Sequence, residues 1–157
     1  MKRRIFSVCL ISVFMLSMIG CSDSLNKAAS ASKKFSQVLG EFQTNVYTFY
    51  DAKIISAENK DQIIDVCMKA NQAGLQVDAI LAAIKKADAD AKEIGLGDRE
   101  RIIKILIPVS QSLDPQKLEF IAGIKNEAAK QKLEGGLVAA RSVLSSLQII
   151  LASGGTQ

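Results

Sequence analysis

Ile63-Ile64-Asp65-Val66-Cys67-Met68-Lys69-Ala70-Asn71-Gln72-Ala73-Gly74-Leu75-Gln76-Val77-Asp78-Ala79-Ile80-Leu81-Ala82-Ala83-Ile84, residues 63–84, decides the fold class of this chain. Ile63, Cys67, Ala70, Gly74, Val77, Leu81 and Ile84 recur at steps of three and four, which places them on one face of a helix. Ala87 or Asp88, and then Ala91, continue the stripe. The phase is kept across Gly74, so the pattern allows one helix of about 35 residues, roughly 53 Å long. It equally allows two helices that meet or kink at Gly74. The many alanines let neighbouring helices come close. Upstream, Ser56 suits an N-cap, and Glu58 in the first turn complements the helix dipole.

The same rhythm extends in both directions. Before it, Ala28, Ala31, Phe35, Val38, Leu39, Phe42, Val46 and Phe49 form a second stripe, interrupted in composition only by Gly40. Phe35, Phe42 and Phe49 read either as a core stripe or, with Cys67, as the lining of an apolar ligand cradle. After it, Gly95-Leu96-Gly97 reads as a helix end and Asp98 as the cap of the next helix. Ile102, Ile103, Leu106 and Val109 carry that helix to about Leu113. Ile105-Leu106-Ile107 is apolar all round and is expected to be its most buried part. A strand competes there, but Pro108 argues against a central strand.

Asp114-Pro115 predicts a helix start, an N-cap followed by proline at the first helical position. That helix would carry Leu118, Ile121, Ile124, Ala128 and Leu133. Gly135-Gly136 interrupts the pattern. Leu137, Ala140, Val143, Leu144, Leu147, Ile150 and Leu151 then form a last amphipathic stretch of about 15 residues, too short to cross a bilayer. The expected architecture is all-α, an up-and-down bundle of about four to five amphipathic helices over residues 34–151. Residues 22–33, polar and small, are either a tether or the first turns of a helix, and residues 152–157 form a frayed tail.

The N-terminus has a different grammar. Lys2, Arg3 and Arg4 lead into an apolar run from Ile5 to Ile19, closed by Gly20 and Cys21. This is the three-part layout of a secretory signal peptide. Residues 1–21 resemble the lipobox signal of bacterial lipoproteins, with Met18 and Ile19 standing where such motifs usually carry Leu and a small residue. The competing reading is a transmembrane anchor, for which a run of about 15 falls short of the roughly 20 residues needed. The resemblance implies cleavage after residue 20 and diacylglycerol on the Cys21 thiol. It implies a membrane partner through that lipid and a place in the bacterial cell envelope. Ser22, rather than Asp, favours the periplasmic face of the outer membrane where two membranes are present.

Composition closes several other routes. The chain has 20 basic and 16 acidic residues. Lys2, Arg3 and Arg4 would leave with the signal, so the remainder carries 17 basic residues against 16 acidic and a net charge of +1. That balance gives no electrostatic footprint for nucleic acid. Cys9 lies in the signal and Cys21 takes the lipid, so Cys67 has no intramolecular disulfide partner. It reads as a buried thiol, with a disulfide-linked dimer or a reactive thiol as the alternatives.

The absence of histidine removes Ser-His-Asp and Cys-His nucleophile systems and histidine-ligated metals. Asp88-Ala89-Asp90 invites comparison with a calcium loop, but Glu93 occupies the glycine place and Arg99 the closing glutamate place. Gly95-Leu96-Gly97 lacks the preceding strand and third glycine of a phosphate-binding turn. The basic pairs Lys85-Lys86, Arg99 with Arg101 and Lys130 with Lys132 read as solvated faces. Neither catalytic residues nor a cofactor are expected. The expected function is a non-enzymatic, membrane-anchored envelope lipoprotein whose bundle binds another envelope component, an envelope protein foremost. The alternative is a carrier or sensor that holds an apolar small ligand inside the bundle.

Overall fold

A computed structural model describes residues 23–115 and 118–153. The signal stretch, Cys21 and the last residues of the tail lie outside the described residues. Within them the chain is helical and contains no strand. The helices are α1 (Ser24–Asp51), α2 (Ala57–Ala87), α3 (Leu96–Ser112), a single turn α4 (Glu119–Ala122) and α5 (Glu127–Ser153). Four of them, α1, α2, α3 and α5, pack against one another as a bundle. α1 lies between α2 and α5, and α3 closes the ring by packing on the same two helices.

The buried positions explain why the helices associate. α1 buries Leu25, Ala28, Ser32, Phe35, Leu39, Phe42 and Val46, and α3 buries Arg99, Ile102, Leu106 and Val109, followed by Leu113. α5 buries Ala129, Leu133, Leu137, Ala140, Leu144, Leu147 and Leu151. Apart from one step of four early in α5, the intervals alternate between three and four. This is the 3.5-residue repeat that keeps a seam facing its partner when helices wrap left-handedly. Side chains of all these helices meet in one continuous core.

α1 and α2 run antiparallel across a five-residue turn, residues 52–56. α1 ends in a Schellman motif: the N–H of Ile54 donates to the Phe49 carbonyl at 2.9 Å, and that of Lys53 to the Tyr50 carbonyl at 2.8 Å. The residue that must turn left-handed there is Lys53, with φ 57°, where glycine is the usual choice. Ser56 then caps α2 as expected, its Oγ accepting the N–H of Asn59 at 3.1 Å.

α2 is one uninterrupted helix through Gly74. Gly74 is buried against Phe35, whose Cδ1 would lie 3.7 Å from an added Cβ, so the glycine seats a ring and does not break the helix. α2 nevertheless stops at Ala87, well before the Gly95-Leu96-Gly97 stretch expected to end it. Asp88 explains the early stop: its carboxylate accepts the N–H of Asp90 at 3.0 Å, an Asx turn that competes with helical hydrogen bonding. Gly95 is consequently the N-cap of α3, and Asp98, the expected cap, sits inside its first turn. α3 continues through Pro108. The Ile105-Leu106-Ile107 segment is helical, but only Leu106 is fully buried, while Ile107 is 45% exposed.

The Asp114-Pro115 start yields no long helix. A single turn, α4, ends at Gly123, tucking Ile121 and Ile124 into the core. α5 starts afresh at Glu127, with Asn126 Oδ1 accepting the N–H of Ala129 at 3.0 Å. This restart exposes Ala128 and buries Ala129 in its place. Gly135-Gly136 lies inside α5 and does not interrupt it.

α5 spans 27 residues, so the length argument against a membrane span does not hold. It is long and apolar enough, by length and composition alone, to cross a bilayer. Its buried stripe runs along α1 and α3 and takes up 28% of the most apolar window.

Candidate functional site

The sequence points to two places: the start of α1, just beyond Cys21, and the aromatic stripe with Cys67. Cys21 itself lies outside the described residues. The first turn of α1 is held firmly. Asp23 caps the helix by accepting the N–H of Asn26 at 3.0 Å and its side-chain amide at 2.6 Å. The hydrogen bond from the Asn26 backbone, then that from its side chain, holds the Asp23 carboxyl below its ordinary value. Two further bonds bolt this turn to the α2–α3 loop. The N–H of Leu25 donates to the Lys92 carbonyl at 3.0 Å, and the N–H of Ile94 donates to Ser24 Oγ at 3.3 Å. Residues 24–33, one of whose readings was a tether, form the opening turns of α1.

Arg99 lies beneath that loop. It is 5% exposed, and its Nε donates to the Ile94 carbonyl. Its Nη1 has no hydrogen-bond partner among the described residues. The solvated-face reading therefore fails for Arg99, and the available signal was its place three residues before Ile102 on an otherwise apolar stripe.

The aromatic stripe is part of the core. Phe35 and Phe42 are buried, Phe49 is partly buried, and Cys67 is fully buried. Phe35 and Phe42 each fill a notch left by a glycine. The Phe42 ring lies so close over Gly136 that an added Cβ would stand 2.5 Å from its Cδ2. Burial pushes the Cys67 thiol up to about 12, so it stays protonated and unreactive near neutrality. Phe49 instead reaches the edge, where Lys132 Nζ stands 5.7 Å from its ring centroid.

Sequence reasoning missed the polar link inside the α1–α2 seam. Ser32 occupies a core step of α1 and its Oγ donates to Asp78 Oδ1 at 2.6 Å. A serine seven residues before Leu39 on an apolar stripe was the available signal.

A surface concavity of about 520 Å³ lies at the α1–α2 turn, lined by Tyr50, Asp51, Lys53, Ile54, Ile55 and Ser56. It is open to solvent, and none of Phe35, Phe42 and Phe49 is among its lining residues. Among the described residues no group of three or more acidic or cysteine side chains could hold a metal. No protein family, curated protein or solved structure matches the chain. The fold therefore defines an all-α helical bundle, and the reading of its role rests on the residues themselves.

Proposed function

We propose that this protein is a lipid-anchored, non-enzymatic lipoprotein of the bacterial cell envelope, whose bundle binds another envelope component. One observation carries the reading. A basic head, an apolar run and Gly20-Cys21 stand immediately before Asp23, the cap of the first helix. A signal that stops there leaves the whole bundle intact after cleavage, with Cys21 as its new first residue. A diacyl chain and an N-acyl group on that cysteine provide stable anchoring without a spanning helix. The mature protein is then a bundle of four to five helices at the membrane surface, at the outer membrane's periplasmic face where two membranes exist.

The lack of histidine, the inert Cys67 and the glycine notches filled by Phe35 and Phe42 favour binding by the outer surface over catalysis or interior ligand capture.

Metabolic labelling with a fatty acid, followed by mass spectrometry of the N-terminal peptide, tests the anchor. The expected result is a diacylated Cys21 peptide in the natural chain and an unprocessed, unlabelled precursor for Cys21→Ser. An unmodified peptide retaining residues 1–20 refutes it. Crosslinking in intact cells then tests the partner: an envelope protein recovered with the lipidated form alone supports the reading. A co-purifying apolar small molecule with no protein partner would replace it by the carrier.

A further inference from the structure

We propose that the end of the bundle built from the α2–α3 loop, Leu96 and the last turns of α5 rests on the bilayer surface, with Leu96 and Ile149 entering the headgroup layer. The proposal builds on lipidation of Cys21 and adds the orientation and the contact face.

Chain length fixes the first part. Three residue steps separate Cys21 from Ser24, and a fully extended chain advances at most about 3.6 Å per residue. Ser24 therefore lies within about 11 Å of the lipid-bearing residue in any conformation. Ser24 and Leu25 are bonded to Ile94 and Lys92, so the loop they hold comes to the membrane with them. α1 is 28 residues long, and its far end stands about 42 Å away.

The second part comes from what that end exposes. Phe42 packs on Gly136 and Phe49 lies near Lys132, so α5 runs antiparallel to α1. From that register, Ser153 is level with the first turn of α1. Leu96 is 72% exposed and Ile149 66% exposed, the two most exposed large hydrophobic side chains among the described residues. Both belong to this end. From Ser142 to Ser153, α5 carries no charged residue, while its outer positions Ser142, Ser145, Ile149 and Ala152 are exposed. Lys92 in the loop and Lys85 and Lys86 in the last turn of α2 are matched by Asp88, Asp90 and Glu93, so this end has no net positive field for anionic lipid. The contact is therefore apolar and independent of lipid charge.

The test uses the full lipidated chain in phosphatidylcholine vesicles, with an environment-sensitive fluorophore placed through Leu96→Cys, Ile149→Cys or Tyr47→Cys. Cys67 is buried and does not compete for the label. Tyr47 is exposed near the far end of α1 and serves as the reference. Shallow spin-labelled lipids should quench the probes at 96 and 149 at least threefold more than the probe at 47, and aqueous iodide should rank them in reverse. Equal iodide access at all three positions on vesicle-bound protein overturns the orientation and leaves the anchor standing. Probes shielded from iodide yet unquenched by lipid also overturn it, as protein–protein contact. Quenching that appears only with anionic lipid replaces apolar seating by an electrostatic one, and so refutes it. Failure of the chain to bind vesicles removes both the anchor and the orientation.

Discussion

Replacing Gly136 by alanine puts the seam between α1 and α5 under a direct test. In an exposed helix interior, glycine to alanine stabilises by about 0.8–1 kcal/mol. At Gly136 the new methyl would stand 2.5 Å from Phe42 Cδ2 and 3.1 Å from Cε2. Phe42 is 2% exposed, so its ring can shift only within the core and not out into solvent. Forcing a methyl into a filled core costs about 1–3 kcal/mol, which outweighs the helical gain. The expected net effect is a loss of about 1 kcal/mol.

Gly135 provides the internal control: it shares the helix, is exposed, and has nothing within 4 Å of its Cβ direction. Gly135→Ala should therefore gain close to the full helical increment. The two variants should differ by about 2 kcal/mol, or very roughly 8 °C in Tm for a domain of this size. Urea titrations followed by far-ultraviolet circular dichroism measure both. Combining Gly136→Ala with Phe42→Leu should recover about 1 kcal/mol relative to additivity, because the ring is the obstruction. If Gly136→Ala stabilises as much as Gly135→Ala, the ring does not sit on that backbone and the register of the two helices is wrong.

Lys53→Gly should raise stability by about 0.5–1 kcal/mol in the same titrations, since glycine adopts the left-handed C-terminal turn of α1 without a side-chain penalty. Ser32→Ala and Asp78→Ala should each cost about 1 kcal/mol, and the double variant about 1 kcal/mol less than their sum. A zero coupling energy would show that the hydroxyl and carboxylate do not bond across the α1–α2 seam. Cys67 should resist a thiol reagent at neutral pH in the folded protein and react at once in denaturant. Its folded value lies near 12 against an ordinary 9.0, so the unfolded chain gives up the proton first. That contribution is whole below about pH 9.0 and lost as pH climbs towards about 12. Cys67→Ala should flatten the alkaline decline relative to the natural chain, and an identical decline in both refutes the burial.

The stripes of α1 and α2 were legible because each core step is filled by an apolar or small residue, and the Ser56 cap was legible because its chemistry is local. The boundaries that went astray were set by competition that periodicity does not display. Asp88 ends α2 with its own side chain, several residues before the glycines that looked like the stop. Asn126 outcompetes Asp114-Pro115 as the start of the long helix: its side chain caps Ala129, whereas the chain beyond Pro115 forms only the single turn α4 before Gly123. Gly74 and Gly136 looked like interruptions, yet each seats a phenylalanine from α1, a tertiary reason that no single helix contains. Of the candidate site, Phe35, Phe42 and Cys67 were recognisable as inward-facing. The bonds from Ser24 and Leu25 to residues 92–94 join segments about seventy positions apart, and nothing local announces them.

The position of α1 between α2 and α5 has a mechanical consequence. A load entering the chain at Asp23 pulls along the axis of a helix gripped on two sides over most of its 28 residues. Such a helix cannot be peeled away one contact at a time. It must slide past both neighbours at once, with the Ser24 and Leu25 bonds taking the first strain. Under the proposed lipid anchor at Cys21, a pull from the membrane would load this helix in shear along its neighbours rather than peel it from them.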